Sequence, residues 1–129
     1  MFEMNVDSAF HILRAVMPHM QKAGNGRIIA IGSRAAESPG AGVGAYSASK
    51  AALVSLIRTV AVENKDWGIT ANVILPGTID TPANRQAMPK ADMTNWVQPA
   101  AIASLILWLA SDAAKDVTGA AIPVYGRDM

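Results

Sequence analysis

The chain has 129 residues, 51% of them apolar and 16% charged, with a net charge of +1 and no cysteine. A length of this order fits one domain, and so apolar a composition excludes a disordered tail. Interspersed acids and bases favour neither nucleic acid nor a membrane surface, and the missing cysteines exclude disulfides and thiolate metal sites and accord with a cytoplasmic location.

In chain order, the opening Met1-Phe2-Glu3-Met4-Asn5 lacks the charged-then-apolar layout of a signal peptide. Val6, Phe10, Leu13, Met17 and Met20 then recur at alternating steps of four and three, the mark of an amphipathic helix. Pro18 should kink or loosen its last turn, and Gly24-Asn25-Gly26 should stop it. His11 and His19 have no acidic or histidine partner at ligand spacing and read as surface or partly packed residues, and the methionines read as core filler. No metal site is expected.

Arg27 to Ser33 is a continuous apolar run ending in a hydroxyl, as expected of a parallel strand buried on both faces. A glycine-rich loop follows. A second helix is expected from about Gly44 to Lys65, with Leu53, Leu56, Ile57 and Val60 on one side and Gly68 after it. Ile69 to Leu75 forms a second strand, broken by Pro76-Gly77. A polar loop of some twenty residues comes next, and loops of that length are usually functional or mobile. Pro99 opens a third helix to about Ser111, whose apolar stretch from Ala100 to Ala110 is too short to span a membrane. Ala120 to Tyr125 is a short last strand, and Pro123 argues for an edge position or an irregular end.

Helices alternating with strands imply parallel pairing through right-handed crossovers, hence an α/β fold. Ligands in such sheets bind beyond the carboxyl ends of the strands. Ser33 and Pro76 both stand at carboxyl ends, so their segments converge on one rim.

Tyr46 and Lys50 lie four residues apart in the second helix, a spacing that puts both side chains on one face, about 5–6 Å apart at Cβ. A phenol is protonated at neutral pH and so is already a proton donor for a carbonyl under reduction. An ammonium about 6 Å away contributes about 3 kcal/mol toward the phenolate at an effective dielectric of about 20, which serves the reverse reaction. Ser33 can hold a substrate oxygen, since a hydroxyl both donates and accepts. Tyr-x-x-x-Lys alone is a weak signal. The serine thirteen residues upstream and Pro76-Gly77-Thr78-Ile79-Asp80-Thr81 after the next strand make it specific.

The set Ser33, Tyr46-x-x-x-Lys50 and Pro76-Gly77-x-x-x-Thr81, with Asn5 near the start of the first helix, closely resembles the short-chain dehydrogenase/reductase family over essentially the whole chain. The resemblance implies hydride transfer between NAD or NADP and a carbonyl or alcohol substrate. It implies Tyr46 as general acid and Lys50 as the group that favours the phenolate and bonds the nicotinamide ribose. Ser33 would orient the carbonyl oxygen, and Asn5 would hold a water linking Lys50 to solvent. Pro76, Gly77, Ile79 and Thr81 would face the nicotinamide, Thr81 through its hydroxyl. The plainer roles are helix N-cap for Asn5 and a helix or turn cap for Thr81. Asn72, inside a strand, reads as structural.

Gly40-x-Gly42-x-x-Ala45 formally fits a dinucleotide fingerprint. It stands seven residues beyond Ser33 rather than directly after the strand, and no acidic residue ends the following strand. It reads instead as a substrate-side loop leading to Tyr46. The family normally begins with a glycine-rich dinucleotide half, so residues 1–129 are expected to be one partial domain: a Rossmann-like parallel sheet of about three strands and three main helices, lacking that half. A strand edge would then stay exposed, and the isolated chain is expected to be marginal, partner-dependent or inactive.

The resemblance further implies a homo-oligomer packed through the first two helices. The loop Asp80–Asp92 with Trp96 is similar to dihydropteridine reductases, whereas Ser33 favours a carbonyl or alcohol substrate. Besides the oxidoreductase, two alternatives stand: a non-catalytic dimerisation fragment and a pteridine-type reductase.

Overall fold

The structure is a computed structural model that describes all 129 residues. Its elements are helix α1 (Ser8–Ala23), strand β1 (Gly26–Ile31), helix α2 (Gly44–Glu63), strand β2 (Ile69–Pro76), helix α3 (Pro82–Ala87), helix α4 (Pro99–Ala110) and strand β3 (Ala121–Val124). Both strand pairings are parallel, in the order β1-β2-β3. This is the expected α/β arrangement. Its sheet is small, and its centre is β2, all eight residues of which are buried.

The sheet is covered on both faces, as parallel sheets require. On one face Ile28, Val73 and Leu75 pack against Leu13 of α1 and Leu53 and Ile57 of α2. On the other, Ile74 packs with Val97 and with Ile102 and Leu109 of α4. Burying an aliphatic side chain such as Ile57 (1% exposed) contributes about 2 kcal/mol. Met17 and Met20 pack against the first cluster, while His11 and His19 are exposed.

The entry to α1 is a wide π-helical turn, Glu3–Asp7, in which the Ser8 amide reaches back to the Glu3 carbonyl. α1 continues through Pro18 to Ala23 and ends at Gly24, whose φ is +66°. The ring of Pro18 leaves the Arg14 carbonyl without its usual helical donor. Gly68, at φ +70°, turns the chain into β2 so close to α1's exit that a Cβ there would stand 2.3 Å from the Gly24 carbonyl oxygen. Asn72 is structural: its amide donates to the Val117 carbonyl (2.9 Å) and its oxygen accepts from the Ala120 amide (3.0 Å), fixing the approach to β3. β3 is an edge strand with Pro123 exposed.

One expectation needs correction. The stretch after Pro76-Gly77 is not a structureless loop. It contains α3 and a short turn at Met93–Asn95, and Ile79 bridges to Val97 in parallel fashion. Trp96 and Val97 are buried there. Two prolines and many polar residues hide this order, because its cohesion comes from side-chain bonds and one backbone bridge rather than from apolar periodicity.

Candidate active site

β1 ends at Ile31, and Gly32 carries the chain on beside β2 so closely that a Cβ would meet Val73 and Leu75. Ser33 follows in extended conformation, and its Oγ accepts from the Ala35 amide at 3.2 Å, capping a short helical turn. That bond uses an acceptor site of the hydroxyl and leaves its proton for another oxygen.

Ser33 and Tyr46 line the same cleft, of about 450 Å³, together with Pro76, Gly77, Thr78 and Ile79. The convergence expected from the strand ends is therefore present. Gly77 is needed for close approach: a Cβ there would lie 3.1 Å from the Tyr125 carbonyl oxygen. Gly40 also lines the cleft and Gly42 has φ +81°, so the glycine-rich segment is the loop leading to Tyr46.

The Lys50 ammonium stands 5.8 Å from the centre of the Tyr46 ring, near enough for a cation–π contact. It does not line the cleft. It donates to the Ile31 carbonyl (3.4 Å) and borders a separate apolar groove beside β1.

Asn5 lies inside the π-helical turn rather than at a helix cap, and its amide donates to Ser49 Oγ (3.0 Å). Ser49, fully buried, donates in turn to the Tyr46 carbonyl (2.8 Å). Asn5 thus reaches the helical turn that carries both Tyr46 and Lys50. The capping role belongs to Thr81 instead. Its hydroxyl accepts from the Asn84 amide (3.1 Å) at the start of α3, and Thr81 is not among the residues lining the cleft.

Three further residues shape the site without being singled out by the sequence. Ser49 is the link just described. Asn84 lines the cleft and donates to the Ile79 carbonyl (2.8 Å); its position three residues after a Ser/Thr cap was the available signal. Arg34 also lines the cleft, paired with Asp128 at 3.3 Å and lying 5.6 Å from the centre of the Tyr125 ring. Nothing local announces that pairing.

Below the cleft, Asp80 accepts from Arg85 (2.5 and 2.9 Å) and from Gln98 (3.0 Å). Those hydrogen bonds, Arg85's first, hold the Asp80 carboxyl down at about 2, below the usual carboxylate range. Arg85 is correspondingly raised. Asp92 is lowered by the hydroxyl and amide of Thr94.

With this geometry in place, comparison with known proteins decides the family. A family model described as enoyl-(acyl carrier protein) reductase matches residues 1–126. The chain belongs to the short-chain dehydrogenase/reductase family. It is 37% identical to a cyclic-di-GMP-binding biofilm dispersal mediator protein of Escherichia coli, over 98% of this chain and 56% of that protein. It is 38% identical to a 3-oxoacyl-[acyl-carrier-protein] reductase of Pseudomonas aeruginosa, over 95% of this chain and 53% of that one. Among solved structures, a 3-oxoacyl-[acyl-carrier protein] reductase of Brucella melitensis with bound NAD superposes with a TM-score of 0.82 at 32% identity, over 95% of this chain and 48% of that one. The chain spans about half the length of the relatives it matches. Within that span it has the family's partial Rossmann-like α/β fold. No helix is long and apolar enough to cross a membrane.

Proposed function

We propose that residues 1–129 are one partial domain, the catalytic half of an NAD(P)-dependent oxidoreductase that interconverts a carbonyl and an alcohol. The observation that carries this reading is the shared cleft of Ser33 and Tyr46 at the carboxyl rim, floored by Pro76–Ile79. The nicotinamide, when bound, exchanges hydride with the substrate carbon. Pro76, Gly77 and Ile79 line the cleft and would lie against its ring. Tyr46 gives its phenolic proton to the carbonyl oxygen, and Ser33 donates its free hydroxyl proton to hold that oxygen in place. Lys50 supplies positive charge beside the ring and a donor for the ribose. Asn5 positions the Tyr46–Lys50 turn through Ser49. Thr81 supports the cofactor-facing segment by capping α3. A cytoplasmic setting agrees with the absence of cysteine.

For the 129 residues standing alone, the better supported reading is an interaction fragment without turnover of its own. The Lys50 ammonium is engaged with Ile31 outside the cleft, and the chain spans about half of its relatives. Exposed Phe10, Ile12 and Val62 on α1 and α2 suit packing against a second copy. A pteridine-type reductase would use the same cleft, but the free proton of Ser33 favours a ketone.

The test titrates NADH and NADPH against the chain alone, and again after an upstream half is joined ahead of Met1, following nicotinamide fluorescence and ketone reduction. Turnover only in the joined protein, abolished by Tyr46→Phe, is the expected result. Turnover that survives Tyr46→Phe overturns the mechanism.

A further inference from the structure

The end of the sheet opposite the cleft carries unanswered positive charge. Arg27 of β1 and Thr70 of β2 are register partners. They stand two and four residues before Ile29 and Ile74, which belong to the cluster under α4. Alternation along a strand therefore puts both side chains on the α4 face. There they line a cavity of about 290 Å³ at the amino ends of the strands, with Lys65 from the turn after α2. Asp112, Lys115 and Thr118, from the stretch joining α4 to β3, complete its charged and hydroxyl groups. All but one of the ten lining residues are polar or glycine. None of the three cations is in an ion pair: the pairs of this chain are Arg34–Asp128, Arg58–Glu37 and Arg85–Asp80.

The donors are as one-sided as the charges. Arg27 Nη1 donates to the Gly26 carbonyl (3.0 Å), but Nε is closed off from solvent and has no acceptor. A charged donor stranded in this way is costly and calls for an explanation. Thr118 Oγ1 accepts from the Ala71 amide (3.1 Å), which leaves its own proton free. Thr70, 5% exposed, brings a second hydroxyl to the wall. What would answer this set is a group with several acceptor oxygens and more than one negative charge.

We propose that this cavity at the amino rim binds a phosphate group, held by the guanidinium of Arg27 with Lys65, Lys115 and the hydroxyl of Thr118 around it. A small turn of the guanidinium toward the cavity presents Nε and Nη2 as the fork that matches two phosphate oxygens. Three cations against one carboxylate leave a surplus of two, close to the charge of about −1.5 to −2 that a phosphate monoester carries at neutral pH. The volume stands at the small end for a ligand pocket, so it suits free phosphate or the phosphate end of a larger molecule. Helix ends explain less of the cluster. Lysines beside the carbonyl ends of α1 and α2 would be favourable, but they leave the Nε of a strand arginine unanswered. The inference goes beyond the oxidoreductase reading and does not depend on it, since cavity and cleft lie at opposite ends of the strands.

The experiment titrates inorganic phosphate at constant ionic strength and follows Arg27 Nε–H and the amides of Thr70 and Thr118 by NMR. It is run on the chain and on the protein joined to an upstream half. Expected are saturable shifts in both, none from chloride, and binding about tenfold weaker for acetate, which carries a single charge. Arg27→Gln should weaken phosphate binding about tenfold. Lys115→Gln should weaken it about threefold, and Asp112→Asn should strengthen it about threefold. Lys115 and Asp112 are exposed, so those two variants decide the matter even where Arg27→Gln fails to fold. Adenosine 5′-monophosphate, run alongside, separates the sources. Affinity equal to or below that of phosphate supports a site for the free anion, and tighter binding supports one for the phosphate end of a larger molecule. Absence of saturation, equal shifts from chloride, or acetate as strong as phosphate overturns the site. So does an affinity that neither Lys115→Gln nor Asp112→Asn moves. Saturation confined to the unjoined chain also overturns it, since the upstream half would then cover the cavity. None of these results touches the dependence of turnover on Tyr46, which tests the function separately.

Discussion

The two walls of the cleft are held together by different kinds of bond. The wall of Ser33, Tyr46 and Arg34 depends on contacts between distant parts of the chain: Asn5 to Ser49 spans 44 positions, and Arg34 to Asp128 spans 94. The opposite wall is wired mostly within its own segment. Thr81 caps an amide three residues on, Asn84 reaches back five, and Asp80 and Arg85 are five apart. The difference teaches that the reactive wall exists only once the sheet and both large helices are assembled. The wall from Pro76 to Gln98 has more of its bonds within its own segment. The chemistry therefore depends more on long-range assembly than does the segment from Pro76 to Gln98.

The sharpest way to break this contrast is at the phenol. In the protein completed by an upstream half, Tyr46→Phe should lower kcat by about 10³-fold or more, with nucleotide affinity, read by fluorescence, changed far less. Ser33→Ala should lower kcat/KM for a ketone about 10²-fold, and an equal loss with a substrate lacking a carbonyl would count against its role. Asn5→Ala leaves buried Ser49 without its donor and should cost about 1–2 kcal/mol in urea unfolding, together with altered amide shifts at Tyr46 and Lys50. Thr81→Ala should cost about 1 kcal/mol. If that wall is local, the change appears as faster exchange at Asn84 while the shifts of Tyr46 and Lys50 stay put.

The smallest effect is in acid. Asp80 is held at about 2 by Arg85 and Gln98, below the usual carboxylate value of 3.8. Its pKa is depressed in the folded state, so the clamp's contribution to stability is present above the unfolded value. It is lost as pH falls from about 3.8 through about 2. Carboxyl NMR should place the Asp80 midpoint near the lower figure and show it rising toward 3.8 in Arg85→Gln. A midpoint unmoved by that substitution would mean the ion pair is absent in solution.

Much of the architecture was legible because periodicity is a local property. The steps of four and three in α1, the apolar run Ile28 to Ile31 of β1 and the proline opening α4 each declare an element within its own residues. The motif residues declared the rim in the same way, since a strand's carboxyl end is fixed once the strand is known. The order between Pro82 and Val97 was not legible. It rests on a bridge from Ile79 to Val97 and on ion pairing, neither of which leaves an apolar rhythm. The cap at Thr81 was one of two roles open in the sequence, and it took the fold to bring the Asn84 amide to its hydroxyl.

What the sequence determined by itself was the alternation of helix and strand, the parallel sheet that follows, and the chemical set of phenol, amine and hydroxyl. Only the tertiary structure decided where the amine sits. A lysine's position on its helix is set by spacing, but its ammonium swings on four bonds and settles on whichever acceptor the assembled sheet offers. Here that acceptor is the carbonyl of Ile31 on an open strand edge.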